Sequence, residues 1–293
     1  MSLPTTALMS PINDQNWHAH LELAYAHDGR RTIPIQRRHS GPIRIQKCLW
    51  PEEIGDICHT LIVHPPAGMV GGDQLEISVV VHTDAHVVLT TPSSGKWYGS
   101  DGRVAQQHLH LNVEGSGILE WLPQDIILFN QAHAISKLEI ELAPDAGFIG
   151  WDMLTVGRQS RGERFDQGHY ASYVDISRSG KPIVVDSLLL DGNDRLLQSP
   201  LGLHGQTILG TLWAVPPEGK FSTDTLDVQI DRLREMLVQL HLPVAITRLD
   251  GVVIARYLGK GNSECLDGLA AVRARLRRDW FDLAESYPRI WRT

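Results

Sequence analysis

Three carboxylates stand inside otherwise apolar runs. Glu120 lies in Ile118-Leu119-Glu120-Trp121-Leu122, Asp152 in Gly150-Trp151-Asp152-Met153-Leu154, and Asp186 within the run from Ile183 to Leu190. A carboxylate buried without a partner costs several kcal/mol, so each must meet a cation, collect hydrogen bonds or face water inside the protein. Arg158, Arg161 and Arg164 form a cluster that could supply partners. The alternative chemistry is a wet, acid-lined passage that a divalent cation traverses. A fourth acid, Asp73, follows Gly71-Gly72 and precedes the strand pattern Gln74 to Val81, which holds it at a strand's mouth. An ordinary turn aspartate bonding its own backbone fits the same position.

Other chemistry is weaker on pattern. No GxSxG elbow occurs, and Cys48, Cys58 and Cys265 have no activating context recognisable from sequence. Ser93-Ser94-Gly95-Lys96 resembles the end of a phosphate-binding loop. Thr90, however, stands where the first glycine is needed and Trp97 where Ser or Thr would hold magnesium, so a plain loop after a strand is expected. His108 and His110, like His18 and His20, lie two apart and would share one face of a strand, a geometry a metal can use. Such pairs more often supply the polar side of an alternating strand, and that is the reading adopted. No HExxH, cysteine pair or histidine-rich tail closes a tight site.

The elements that must position these residues are mostly strands. Leu75, Ile77, Val79 and Val81 alternate with mainly polar neighbours, as do Leu109, Leu111 and Val113, then Leu138, Ile140 and Leu142. Turn residues separate the strands at short intervals, among them Asp28-Gly29, Ser100-Asp101-Gly102 and Asp191-Gly192-Asn193. The period changes after Pro216-Pro217: Leu226, Ile230, Leu233, Leu237 and Leu240 form one helical stripe. Val244 to Leu249 and Val252 to Leu258 then flank Asp250-Gly251, a type I′ hairpin signal, and a second helix carries Leu266, Leu269, Leu276, Trp280 and Leu283. The expected fold is mainly β, with many short strands in a coiled or sandwich-like sheet body and a C-terminal α-β-β-α segment. A single domain over 1–293 is expected, with the β body at about 16–216 and the helix-containing part at about 217–293. No self-similarity with a period of 20 to 50 residues is visible, so a regular repeat is not expected.

Bulk properties exclude several classes. With 27 Lys and Arg against 34 Asp and Glu the formal charge is −7, and the arginines from Arg273 to Arg278 fall inside a helical pattern, so nucleic-acid binding is not expected. Three cysteines without a CxxC pair argue against a disulfide framework and suit a reducing cytoplasm. The start MSLPTTALMSP lacks the pattern of a targeting segment, and no run approaches the length of a membrane helix.

His64 to Ile77 reads HPPAGMVGGDQLEI. Pro51-Glu52-Glu53, Cys58-His59, Thr90-Thr91-Pro92, Gly95-Lys96-Trp97-Tyr98 and Ser100-Asp101-Gly102 accompany it, as does LEWLPQD from Leu119 to Asp125. Gly150-Trp151-Asp152, Gly157-Arg158, Gly162-Glu163-Arg164-Phe165 and the ending Pro288-Arg289-Ile290-Trp291-Arg292-Thr293 follow. In this combination the chain resembles the UreD (UreH) urease accessory family over nearly its whole length. Ala67 and Met69 stand where the family often has glycine and isoleucine, and Ser93-Ser94 falls in a variable loop; neither departure removes a ligand type.

The resemblance implies a cytoplasmic, non-enzymatic scaffold in urease maturation. It would bind urease apoprotein on one side and UreF on the other, UreF joining the GTPase UreG that carries nickel. No cofactor would be held tightly; nickel would be in transit toward urease's dinickel site. Asp73, Asp152 and Asp186, with Glu120 as a further candidate, are then expected to line the nickel path. Ile290 and Trp291, terminal and apolar, are candidates for the UreF side, docking back on the chain's own core being the alternative. Two other classes remain open on sequence: a β-rich metal-dependent hydrolase using His64 and Asp73 as ligands, and a β-sandwich ligand-binding module using exposed aromatics among the 8 tryptophans.

Overall fold

Alternating apolar and polar residues produce seventeen strands among the described residues, which are 16–53 and 55–292 of a computed structural model, without the side chains of Arg289 and Arg292. MSLPTTALMSP and Thr293 lie outside them. In chain order the strands begin with β1 (His18–His27), β2 (Thr32–Ser40), β3 (Arg44–Leu49), β4 (Cys58–Val63), β5 (Gln74–Val81) and β6 (His86–Thr90). Next come β7 (Gly95–Trp97), β8 (Ala105–Val113), β9 (Ile118–Leu122), β10 (Ile126–Leu128), β11 (His133–Leu142) and β12 (Gly147–Val156). After β13 (His169–Arg178), β14 (Lys181–Asp191) and β15 (Ile208–Val215) come α1 (Thr223–Gln239), β16 (Val244–Leu249), β17 (Val252–Gly259) and α2 (Asn262–Phe281).

The chain winds between two sheets. One has the order β14-β13-β11-β8-β5-β1-β2, and the other runs β16-β17-β15-β12-β9-β6-β4-β3 with β10 and β7 attached beside β12. Strands β5, β8, β11 and β13 stack parallel in the first sheet, and β4, β6, β9 and β12 stack parallel in the second. Gln74 sits opposite Gln106, Ala134 opposite Ala105 and His133 opposite His169, so each turn of the coil takes about 30 residues, the scale of a solenoid repeat. The mainly β, coiled expectation holds. The expectation of no regular repeat is corrected for the backbone: the path repeats although the sequence does not, because an inward position needs only an apolar side chain of suitable size.

Three layers follow from the burial patterns. Leu75, Ile77, Val79 and Val81 of β5 are buried between the sheets while Glu76 is exposed, the alternation of a sheet with one wet face. Strand β6 is buried at every position, as a sheet covered on both faces requires. Its second cover is helical: Leu226, Ile230, Leu233 and Leu237 of α1 and Leu269, Leu276 and Trp280 of α2 pack with Val88, Ile149, Trp151 and Met153 of the ten-stranded sheet. Ser222 caps α1, its hydroxyl accepting from the Thr225 amide. Gly210 lets α2 approach, since a Cβ there would lie 2.4 Å from Cys265 Sγ. The hairpin turn is as expected, with Asp250 at φ 43° and Gly251 at φ 87°.

Candidate functional site

Side-chain alternation on the ten-stranded sheet sends its two acids to opposite faces. Leu119 and Trp121 join the core between the sheets, so Glu120 points toward the helices. Trp151 and Met153 pack against the helices, so Asp152 points between the sheets.

Glu120 is fully buried and fully paired. Arg273 Nε donates to its Oε2 at 2.5 Å, while Arg277 Nη1 lies 3.2 Å and His86 Nε2 2.7 Å from its Oε1. Arg277 also donates to Glu52 at 2.6 Å, and Glu52 meets His59 at 2.7 Å. Burial works to raise the Glu120 carboxyl, but the two guanidinium groups outweigh it and hold it well below the usual carboxylate range. Glu52 is likewise opposed by burial and brought to about 2 by His59 and Arg277. The partners suggested by sequence are corrected here: Arg158 pairs with Glu163 and Arg164 with Asp166, whereas Glu120 takes its cations from α2. A usable signal was present, because Arg273 and Arg277 fall on the same helical stripe as Leu269, Leu276 and Trp280.

Asp152 lines two adjoining cavities. One, of about 410 Å³, is bounded by Asp152, Tyr170, Ser172, Asp186, Thr211 and Arg256 among others. The second, of about 310 Å³, reaches from Asp152 past Trp121 and Gln124 to Pro65 and His64. Ile126 borders both. Asp152 is partly exposed and opens onto these spaces, and its largely buried surroundings push its carboxyl up to about 6. Asp186 enters the first cavity from β14 and spans the gap between sheets to Arg256 of β17 at 2.7 Å.

Asp73 behaves as the turn reading expected. Its carboxylate accepts from the Val70 amide at 2.9 Å and the Trp17 amide at 3.2 Å, closing the turn and fastening the start of β1. Gly72 adopts φ 98° in that turn. At the far end of the second cavity His64 feels burial, which lowers its affinity for a proton, and the Asp73 charge, which partly restores it. The structure therefore gathers Asp152 and Asp186 at one cavity, sets Asp73 beside His64 beyond the other, and leaves Glu120 behind the sheet. Sequence reading missed Arg256 and Ile126, whose places depend on pairings between distant strands.

The terminal aromatic docks on its own chain. Trp291 donates to Thr90 Oγ1 at 3.0 Å and lies 5.3 Å from the Trp151 ring, while Ile290 beside it is partly buried. Five tryptophans, Trp97, Trp121, Trp151, Trp213 and Trp280, are buried, so they form no surface aromatic platform of the kind a ligand-binding sandwich would use. Ser94 of the loop donates to Asp125, and the three cysteines are free. Among the described residues no helix is long and apolar enough to cross a membrane.

The molecule is a coiled β protein with helices on one face and acids at the cavities between its sheets. The chain belongs to the UreD urease accessory protein family, whose profile matches residues 18–292. It is 48% identical over 277 residues to the urease accessory protein UreD of Acinetobacter baumannii, covering 94% of this chain and 95% of that one. Identity to the protein of the same name from Dechloromonas aromatica is 38% over 286 residues, covering 98% of each. For that of Pseudomonas fluorescens it is 40% over 296 residues, covering all of both. The family is one of accessory proteins, and the chain is not an enzyme.

Proposed function

We propose that this chain serves urease maturation in the cytoplasm, as a scaffold between urease apoprotein and UreF, with UreF joining the nickel-carrying GTPase UreG. Nickel is cargo on this reading. It passes Asp73 and His64, then Asp152, then Asp186, and goes on to urease. The observation that carries the reading is Asp152, an acid shared by two interior cavities whose far ends hold further polar groups.

Physical chemistry favours such an arrangement for transfer. Nickel stands high in the divalent affinity order, so a closed site of histidines and cysteines would retain it. Single carboxylates spaced along a cavity bind weakly and release. Glu120 is given an anchoring part: it holds α2 against the sheet whose other face carries Asp152. The helical layer with Ile290 and Trp291 is assigned to the side that meets UreF, and the rest of the body to urease. Alanine at Asp73, Asp152 and Asp186, one at a time, tests the path through the nickel content of co-expressed urease. Lower nickel with the Asp152 and Asp186 variants is expected; full activation with all three would refute it.

A further inference from the structure

The outer face of the seven-stranded sheet, opposite the face that borders both cavities, carries a group of side chains of metal-ligating types. Strands β5, β8 and β11 run parallel and in register, so their outward side chains form rungs. One rung holds Glu76, His108 and Lys137, and the next holds Ser78, His110 and Glu139. His108 Nε2 lies 2.6 Å and His110 Nδ1 2.9 Å from one and the same Glu139 oxygen, with the two imidazoles 3.8 Å apart. Their ligand atoms all fall within 4.8 Å of one another.

We propose that His108, His110 and Glu139 bind one late first-row divalent cation, such as Ni²⁺ or Zn²⁺, on the outer face of this sheet. Two nitrogens and one carboxylate form a borderline donor set that selects such ions over Mg²⁺ or Ca²⁺. An ion would sit where the two imidazole nitrogens now converge on one Glu139 oxygen, each ring presenting the lone pair of that nitrogen in the matching tautomer. Glu76, exposed on the adjoining strand opposite His108, is placed to add a second carboxylate. Lys137 bonds the other Glu139 oxygen and leaves the shared one to the ion. The remaining positions stay open to water, so the ion is exchangeable.

The site is independent of the interior path, and its test separates the two. The purified full chain is dialysed to equilibrium against NiCl₂, and separately a zinc salt, near neutral pH with excess Mg²⁺. The chain is expected to hold one equivalent more than the His108→Ala/His110→Ala double variant, and the same difference is expected when both are compared on an Asp152→Asn background. An unchanged stoichiometry in the double variant, displacement by Mg²⁺, or loss of that difference on the Asp152→Asn background would overturn the proposal. Should the double variant fold poorly, Cu²⁺ on the unaltered chain serves: electron spin resonance is expected to show two imidazole nitrogens, lost together with affinity in Glu139→Gln. A spectrum without imidazole nitrogen would overturn it equally.

Discussion

Asp152 holds its proton up to about pH 6 because burial disfavours the charge, against an ordinary value of 3.8. Between these values the folded chain keeps a proton that the unfolded chain has released. Stability contributed by this group therefore falls as pH rises through that window. Asp152→Asn removes the penalty, and urea unfolding at neutral pH is expected to show it more stable by on the order of 1 to 3 kcal/mol. The difference should vanish near pH 4, and an Asn variant less stable at neutral pH would contradict the environment described. Glu52 has the opposite sign. Its depressed value means stability present above the ordinary carboxylate range and lost as pH falls toward 2. At this scale the sequence was informative about which acids were unusual and silent about their partners. Asp152 stood out by its apolar neighbours, whereas the cation for Glu120 lies 153 residues away on a helix.

The second helix, α2, is held to the ten-stranded sheet by apolar packing and by a buried ionic cluster. Glu120, Arg273 and Arg277 all have fully buried side chains. Removing one member strands the others, so Glu120→Gln or Arg277→Met should cost roughly 3 to 5 kcal/mol, read by urea unfolding. Amide exchange in α2 should accelerate more than in β8. A loss typical of an exposed pair, below about 1 kcal/mol, would show the cluster to be open to water. Helices and hairpin were legible because their signals are local: the stripe from Leu226 to Leu237, and Asp250-Gly251 between two apolar runs. The strand order and pairing within the coil were not legible. Its pairings join residues about 30 apart, and parallel neighbours need matching burial, not matching sequence.

At the scale of the molecule, the cavities lie between two sheets and the helices cover the outer face of one of them. We propose that the whole chain folds as one unit. The ten-stranded sheet joins the coil to the C-terminal hairpin through β12, β15 and β17. A single cooperative unfolding transition is expected, observed together by far-ultraviolet dichroism and tryptophan fluorescence, and separate transitions for the two parts would refute it. Ile126 offers the most direct test of cargo moving through the interior, since it borders both cavities and carries no ligand. Ile126→Trp would fill the space where they adjoin while leaving Asp73, Asp152 and Asp186 in place. The decisive measurement is the nickel content of urease matured with this variant, in preparations where it copurifies with UreF, UreG and urease as the unaltered chain does. Passage through the interior predicts intact complexes and nickel-poor urease; intact complexes with fully loaded urease would contradict it.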